Sequence, residues 1–329
     1  MKILERQLGQ LDWQGAGLTS TLRLPRNYAY RTLSLRLEAN LTTTETTAGV
    51  VMDSLPAQLV SNIVIRANGR DVIKNYDMET LHRLTQQRYG IRPRIVSLAA
   101  TTAAGPGDFT VNAVIDFQMW RAVKPIDTLL DSSGMATLEM IVTWGAANSV
   151  FGGAFGGTVT VNSCTLYVAS VESIGVPTGS RFMVNKEFSI REIITAANAQ
   201  HQINLPVGNL YRSIVLKTVS DACNVNTILN NIILKSGTEV FKNRTAVHLQ
   251  MDNRVDYMTE FPVATAILEN LFNGYYLLEF VKDGRLSECL DTSRLSSLEL
   301  VLDINAPGTV DSISVYAVEL IVPPKINNA

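Results

Sequence analysis

The sequence predicts an all-β protein: two tandem jelly-roll β-sandwiches with short helical insertions. Three observations predict it. The chain repeats itself, each copy alternates apolar and polar residues at the period of a strand, and only two or three stretches carry helical spacing. At 329 residues the chain is long for one domain and comfortable for two of about 150–165 residues each.

The repeat decides the architecture. LPRNYAYR at 24–31 returns as LPVGNLYR at 205–212, so Leu24, Pro25, Tyr30 and Arg31 recur as Leu205, Pro206, Tyr211 and Arg212 at an offset of 181. NIVIRANGRDVIKN from Asn62 returns as NIILKSGTEVFKN from Asn231, and VIDF at 114–117 as LLEF at 277–280. LDSSGMATLEM from Leu130 returns as LDTSRLSSLEL from Leu290, and GTVTVNSCTLYVASVE from Gly157 as GTVDSISVYAVE from Gly308. Five matches in one order are not chance. The residues missing from the second copy come chiefly from 43–57, 90–112 and 146–156, rich in Thr, Ala, Gly and Pro and therefore expected to be surface loops. A hinge is expected at IGVPTGSR, 174–181, giving domains 1–177 and 178–329.

The elements can be taken along the chain. The N-terminal MKILERQLGQLDW places Ile3, Leu4, Leu8 and Leu11 on one face of a helix, expected to pack on a core or a neighbour or to lie against a membrane. In Arg31–Glu38, Leu33, Leu35 and Leu37 alternate with polar residues, and Ile214 and Leu216 repeat that inward face with Lys217 outward. Asn68-Gly69 and Ser236-Gly237 sit between paired runs, which is hairpin chemistry. Asp77–Tyr89 reads as a helix after the fourth strand, with its counterpart near Thr245–Val255 and a third candidate at Ala264–Phe272. Leu138, Met140, Val142 and Trp144 form another inward face, repeated by Leu298, Leu300, Leu302 and Ile304. Ile141 and Val301 double up on these strands and point outward. Seven or eight strands per copy need two packed sheets. The helix insertion and long loops favour a jelly roll over an immunoglobulin-like sandwich.

Composition narrows the chemistry. With 28 basic against 30 acidic residues and a net charge of −2, the chain has no global basic field for nucleic acid. Arg92 and Arg94 in IRPRI, and Arg26 and Arg31 in RNYAYR, are too scattered for a groove. No apolar run reaches the ~18–20 residues of a membrane helix, and the N-terminus does not read as a secretory signal. Cys164, Cys223 and Cys289 are odd in number and far apart, so neither a disulfide framework nor a zinc cluster is expected, and the chain reads as folded in a reducing cytoplasm.

No residue is expected to be catalytic, cofactor-binding or metal-ligating, and no cofactor is expected. His82 and His248 fall at similar points of the two helices without further ligands, and read as structural; His201 reads as an exposed loop residue. GGAFGGT, 152–158, lacks the Lys-Ser/Thr of a phosphate loop and precedes a strand. Asp131 and Asp291 read as turn residues capping backbone N–H groups; with Asp252 and Asp256 they are the carboxylates weighed for calcium or acid–base work. No G-x-S-x-G is present, and the sequons at Asn40 and Asn243 read as chance matches.

The two strand–turn–strand–helix units, LVSNIVIRANGRDVIKNYDMETLHRL and ILNNIILKSGTEVFKNRTAVHLQM, carry a resemblance to the double jelly-roll major capsid proteins of tailless, membrane-containing bacteriophages, the lineage of adenovirus hexon. The resemblance is one of layout and covers roughly 18–177 and 184–325. It implies a non-enzymatic capsid protein of the virion, made in the host cytoplasm. It implies pseudo-hexagonal homotrimers that tile an icosahedral shell around an internal membrane. The implied partners are neighbouring capsomers and minor capsid, vertex and membrane proteins, without sequence-specific nucleic-acid binding. The rival reading is a tandem β-sandwich carbohydrate-binding protein or glycan-active enzyme. That reading needs exposed aromatic platforms, whereas aromatics are 7% of the chain and Trp120 and Trp144 fall in strand patterns.

Overall fold

The computed structural model describes residues 2–44, 50–51, 55–89, 95–97, 105–119, 122–152, 157–176, 182–221, 223–257, 273–306, 308 and 310–321. Its internal contacts divide it at Phe188 and Ser189 into two units. Unit 1 holds β1 (Lys2–Asp12), β2 (Thr19–Arg23), β3 (Ala29–Thr43), β4 (Val60–Ala67), β5 (Asp71–Tyr76), α1 (Met78–Tyr89), β6 (Gly105–Asp116), β7 (Leu138–Trp144) and β8 (Val159–Ile174). The second series is β9 (Val184–Ile194), β10 (Asn198–Leu205), β11 (Leu210–Ser220), β12 (Leu229–Ser236), β13 (Glu239–Thr245), α2 (Ala246–Tyr257), β14 (Tyr275–Glu279), β15 (Leu298–Ile304) and β16 (Asp311–Ile321). Residues 184–188 of β9 group with unit 1 and the rest with unit 2.

The two series share one topology. One sheet of unit 1 runs β1-β8-β3-β6 and the other β2-β7-β4-β5; the second series runs β9-β16-β11, with β14 on β11, and β10-β15-β12-β13. Each set of eight strands is a jelly roll, first strand beside last and second beside seventh. The buried faces are those of the predicted alternation: Leu33, Leu35 and Leu37, then Leu138, Met140, Val142 and Trp144, with Leu298, Leu300, Leu302 and Ile304 in the second copy. Lys217 departs from it. Every residue from Tyr211 to Thr218 is buried, because both faces of this central strand are covered, and the Lys217 ammonium lies 5.9 Å over the Tyr275 ring.

The N-terminal segment is a strand, not a helix, and this correction has a local cause. β1 pairs with β8, but its register passes from Gln7 opposite Ala169 to Gly9 opposite Val168, leaving Leu8 as the extra residue of a bulge. The bulge breaks the period of two, so Leu4, Leu8 and Leu11 fall at steps that mimic a helical face. With β1 and β9 counted and the two-residue strands Val50–Val51 and Cys223–Asn224 left aside, each helix follows the fifth strand of its copy rather than the fourth. The expected loop 90–112 is also corrected, since β6 begins at Gly105. The candidate helix Ala264–Phe272 lies outside the described residues, as do 153–156 of GGAFGGT, 177–181 of the hinge, Arg92, Arg94 and Trp120.

The repeated LP…YR motif is a paired corner. Tyr30 Oη donates to the Pro25 carbonyl and Tyr211 Oη to the Pro206 carbonyl, both at 2.6 Å. Burial, reinforced by the carboxylates Glu172 and Glu319 respectively, pushes both phenols above the ordinary tyrosine value. The repeated LDSS/LDTS motif is a paired turn. Asp131 Oδ1 accepts from Ser133 N and Asp291 Oδ1 from Ser293 N, while the Ser132 and Thr292 hydroxyls donate to Tyr28 O and Asn209 O. In each copy that turn pairs with the strand carrying the corner tyrosine, Tyr30 opposite Leu130 and Tyr211 opposite Leu290.

Candidate functional site

The duplication builds the same polar junction twice, where each helix meets its sheet. Both helices are capped by the residue before them: Thr80 N donates to Asp77 Oδ1, and His248 N to Thr245 Oγ1. Each helix then docks on the sixth strand of its copy through side chains that bond the strand's backbone. In unit 1 Val114 N donates to Thr85 Oγ1, and His82 Nδ1 lies 2.7 Å from Asn112 O. In unit 2 Asn253 bonds both Leu277 O and Leu277 N, and Gln250 Nε2 donates to Tyr275 O. The helices thus satisfy backbone groups of β14 and of the Asn112–Val114 part of β6, whose Phe109–Val111 part pairs instead with the short strand Ile95–Ser97.

At the far end of each helix the matched VIKN/VFKN and VIDF/LLEF motifs converge. In unit 1 the Tyr89 hydroxyl donates to Asp116 (2.6 Å), and the Lys74 ammonium lies 5.6 Å over the Phe117 ring. In unit 2 the Tyr257 hydroxyl donates to Glu279 (3.1 Å), and the Lys242 ammonium lies 5.7 Å over the Phe280 ring. The surroundings then diverge. Lys74 is fully buried and meets Glu187 at 3.3 Å, while Arg88 bridges Glu187 (3.1 Å) and Asp116 (3.4 Å). Burial lowers the Lys74 pKa to about 8, against the opposing pull of Glu187. Lys242 instead lines an open cleft of about 410 Å³ with Arg244, Asp252, Asp256, Glu279 and Lys282. Asp256 stands where unit 1 has Arg88, and it holds Lys282; Asp252 holds Arg244 at 3.3 Å. The Lys242 pKa is lowered, first by burial and then by Lys282 and Arg244.

The residues singled out in the sequence are scattered over the fold rather than gathered. His82 is buried at the α1–β6 junction, whereas His248 is exposed in the first turn of α2, two positions before the true counterpart of His82, Gln250. His201 is corrected from loop to strand: it lies within β10 beside Glu192. Arg26 donates to the carbonyls of Met135 and Ala136, and Arg31 to Ser173 Oγ, so both arginines serve the fold. Asp131 and Asp291 cap turns, and Asp252 and Asp256 pair with cations. Among the described residues no three His, Cys, Asp or Glu side chains gather as a metal site. Sequence reasoning missed Lys74, Arg88, Asp116 and Glu187. The matched motifs contained Lys74 and Asp116, but only the folded chain brings Glu187 to them.

No protein-family model matches the chain, and no curated protein matches it. Solved structures do. The major capsid protein of STIV (Sulfolobus turreted icosahedral virus) superposes with a TM-score of 0.74 at 15% identity, over 98% of each chain. The major capsid protein P2 of bacteriophage PM2 gives 0.60 at 12% identity, over 98% of this chain and 99% of that one. VP54 of PBCV-1 gives 0.61 at 11% identity, over 97% and 93%. The chain is a double jelly roll. Likeness at such low identity establishes the fold, and the coverage means that the double jelly roll accounts for the chain nearly end to end.

Proposed function

We propose that this double jelly roll is a viral major capsid protein, which acts by self-assembly rather than catalysis. The observation that carries the proposal is the end-to-end likeness to the STIV major capsid protein, over 98% of each chain. The proposed working form is a homotrimer. Two similar domains per chain, 1–177 and 178–329, make a six-lobed tile only when three chains meet. Such tiles form an icosahedral shell around an internal membrane, in contact with neighbouring capsomers and with minor capsid, vertex and membrane proteins of the virion, without sequence-specific nucleic-acid binding. The chain is made in the host cytoplasm and functions in the virion.

The carbohydrate reading finds no support in Trp144, which is 1% exposed with its indole N–H donated to Ser20 Oγ. Light scattering and negative-stain microscopy of the purified protein test the proposal. The expected result is a trimer of roughly 108 kDa, three times 36.1 kDa, with a hexagonal outline, or closed shells. A monomer that persists at micromolar concentration and moderate salt overturns it.

A further inference from the structure

The duplicated lysines are unequal in one respect. Lys74 has a carboxylate, Glu187, at 3.3 Å. Lys242 stands over the matching phenylalanine and beside the matching Tyr–carboxylate pair, yet among the described residues it forms no ion pair; its ammonium reaches the Glu279 carbonyl, at 3.4 Å. The position that Glu187 fills in unit 1 corresponds in unit 2 to the open cleft. The cleft's other two cations, Arg244 and Lys282, are each held by an aspartate of α2. Among the described residues, Lys242 is therefore the cation there with no carboxylate at ion-pair distance, Asp256 and Asp252 acting on it only from further off while they hold the other two cations.

The identity of the filler in unit 1 indicates the filler in unit 2. Glu187 belongs to the opening residues of β9, the strand that begins the second jelly roll. The counterpart of β9 is β1, the first strand of the first jelly roll; each lies beside the last strand of its own copy. β1 also carries an acidic residue near its start, Glu5, and Glu5 is exposed with Ile3 beside it on the same face, Ile3 being 59% exposed. Within one chain β1 is committed to the first jelly roll, paired with β8, and a second copy presents the same acidic first strand to the cleft.

We infer that the unit 2 cleft is a receptor for the N-terminal strand of a second copy of this chain, whose Glu5 pairs with Lys242 as Glu187 pairs with Lys74. The contact is heterologous: a cleft on one copy takes a strand from the next, so a chain of such contacts either closes into a ring or runs on as a filament. A partly enclosed carboxylate–ammonium pair flanked by apolar surface sets register and partner choice as well as affinity. This inference rests on the self-assembly reading and specifies its contact.

A charge-swap experiment on the full-length protein tests it, with assembly read by sedimentation velocity. Glu5→Lys and Lys242→Glu are each expected to raise the concentration for half-assembly by about tenfold or more, and the double variant to recover most of that loss. Glu5 is exposed, so the Glu5→Lys arm stands even if Lys242→Glu folds poorly; Lys242→Met is the gentler partner and is expected to weaken assembly likewise. If wild type assembles and Glu5→Lys assembles equally well, the inference falls while the capsid reading stands. If both single variants lose assembly and the double variant regains none, the two residues do not pair and the inference also falls. If wild type itself never assembles, both fall.

Discussion

Tyr30 and Tyr211, at the scale of single residues, act as controls for each other. Each is fully buried and donates at 2.6 Å to a proline carbonyl five residues upstream. Removing either hydroxyl leaves that acceptor without its donor, so Tyr30→Phe and Tyr211→Phe are each expected to cost about 1–2 kcal/mol, by similar amounts. Denaturant midpoints of the two variants check this, and a cost confined to one of them contradicts the equivalence. Lys74 gives a pH signature. Its folded pKa, about 8, lies below the ordinary lysine value of 10.5. Between those values the unfolded chain binds the extra proton, so this residue makes stability rise with pH across that window, by on the order of 3 kcal/mol in all. Below about pH 8 it contributes no slope. Unfolding of wild type against Lys74→Met, followed from neutral pH through that window, is expected to show wild type gaining; a flat difference contradicts the burial of the ammonium. The buried phenols and the remaining ion pairs titrate in both proteins and cancel in the comparison.

At the element scale, the two helices are held by unlike side chains in like positions. Thr85 serves α1 with one hydroxyl; Asn253 serves α2 with both ends of an amide, at 2.8 and 2.9 Å from the Leu277 backbone. Asn253→Ala is expected to destabilise unit 2 by roughly 2–4 kcal/mol, because two buried backbone groups of β14 lose their partners together. Hydrogen exchange in that variant provides the local reading, with faster exchange at Leu277 than at Val114 of unit 1. Periodicity identified α1 and α2 because their caps, Asp77 and Thr245, and their apolar spacing agree. It misread β1 because one bulge at Leu8 and Gly9 shifts the inward face by a residue. A Cβ at Gly9 meets Leu22 Cδ1 at 3.1 Å, so glycine lets β1 and β2 approach there.

At the scale of the whole molecule, the outer faces of the four-stranded sheets repeat as well. Arg66 pairs with Glu139 at 3.0 Å and Lys235 with Glu299 at 3.5 Å, and beside each pair an apolar residue faces outward: Ile141 opposite Val64, and Val301 opposite Ile233. All four apolar side chains are only partly covered within one chain. If copies pack over these faces, each such side chain contributes about 1–2 kcal/mol on burial. Ile141→Asp and Val301→Asp are therefore expected to leave the monomer folded, with unchanged far-ultraviolet circular dichroism, and to weaken self-association by about tenfold each. Unaltered light scattering from both variants places the contact elsewhere.

The duplication, the inward faces and the turns were legible in the bare chain, because each rests on residues close together along it: alternation along a strand, Asp beside Ser in a turn, Leu-Pro ahead of a buried Tyr. The matched Asp116 and Glu279, Lys74 and Lys242 were visible as letters. Their unequal surroundings were not. Whether a buried lysine has a carboxylate depends on a strand roughly a hundred residues further along the chain, and no local spacing reports such a meeting. Folding alone brings Glu187 to complete one junction while its twin faces an open cleft.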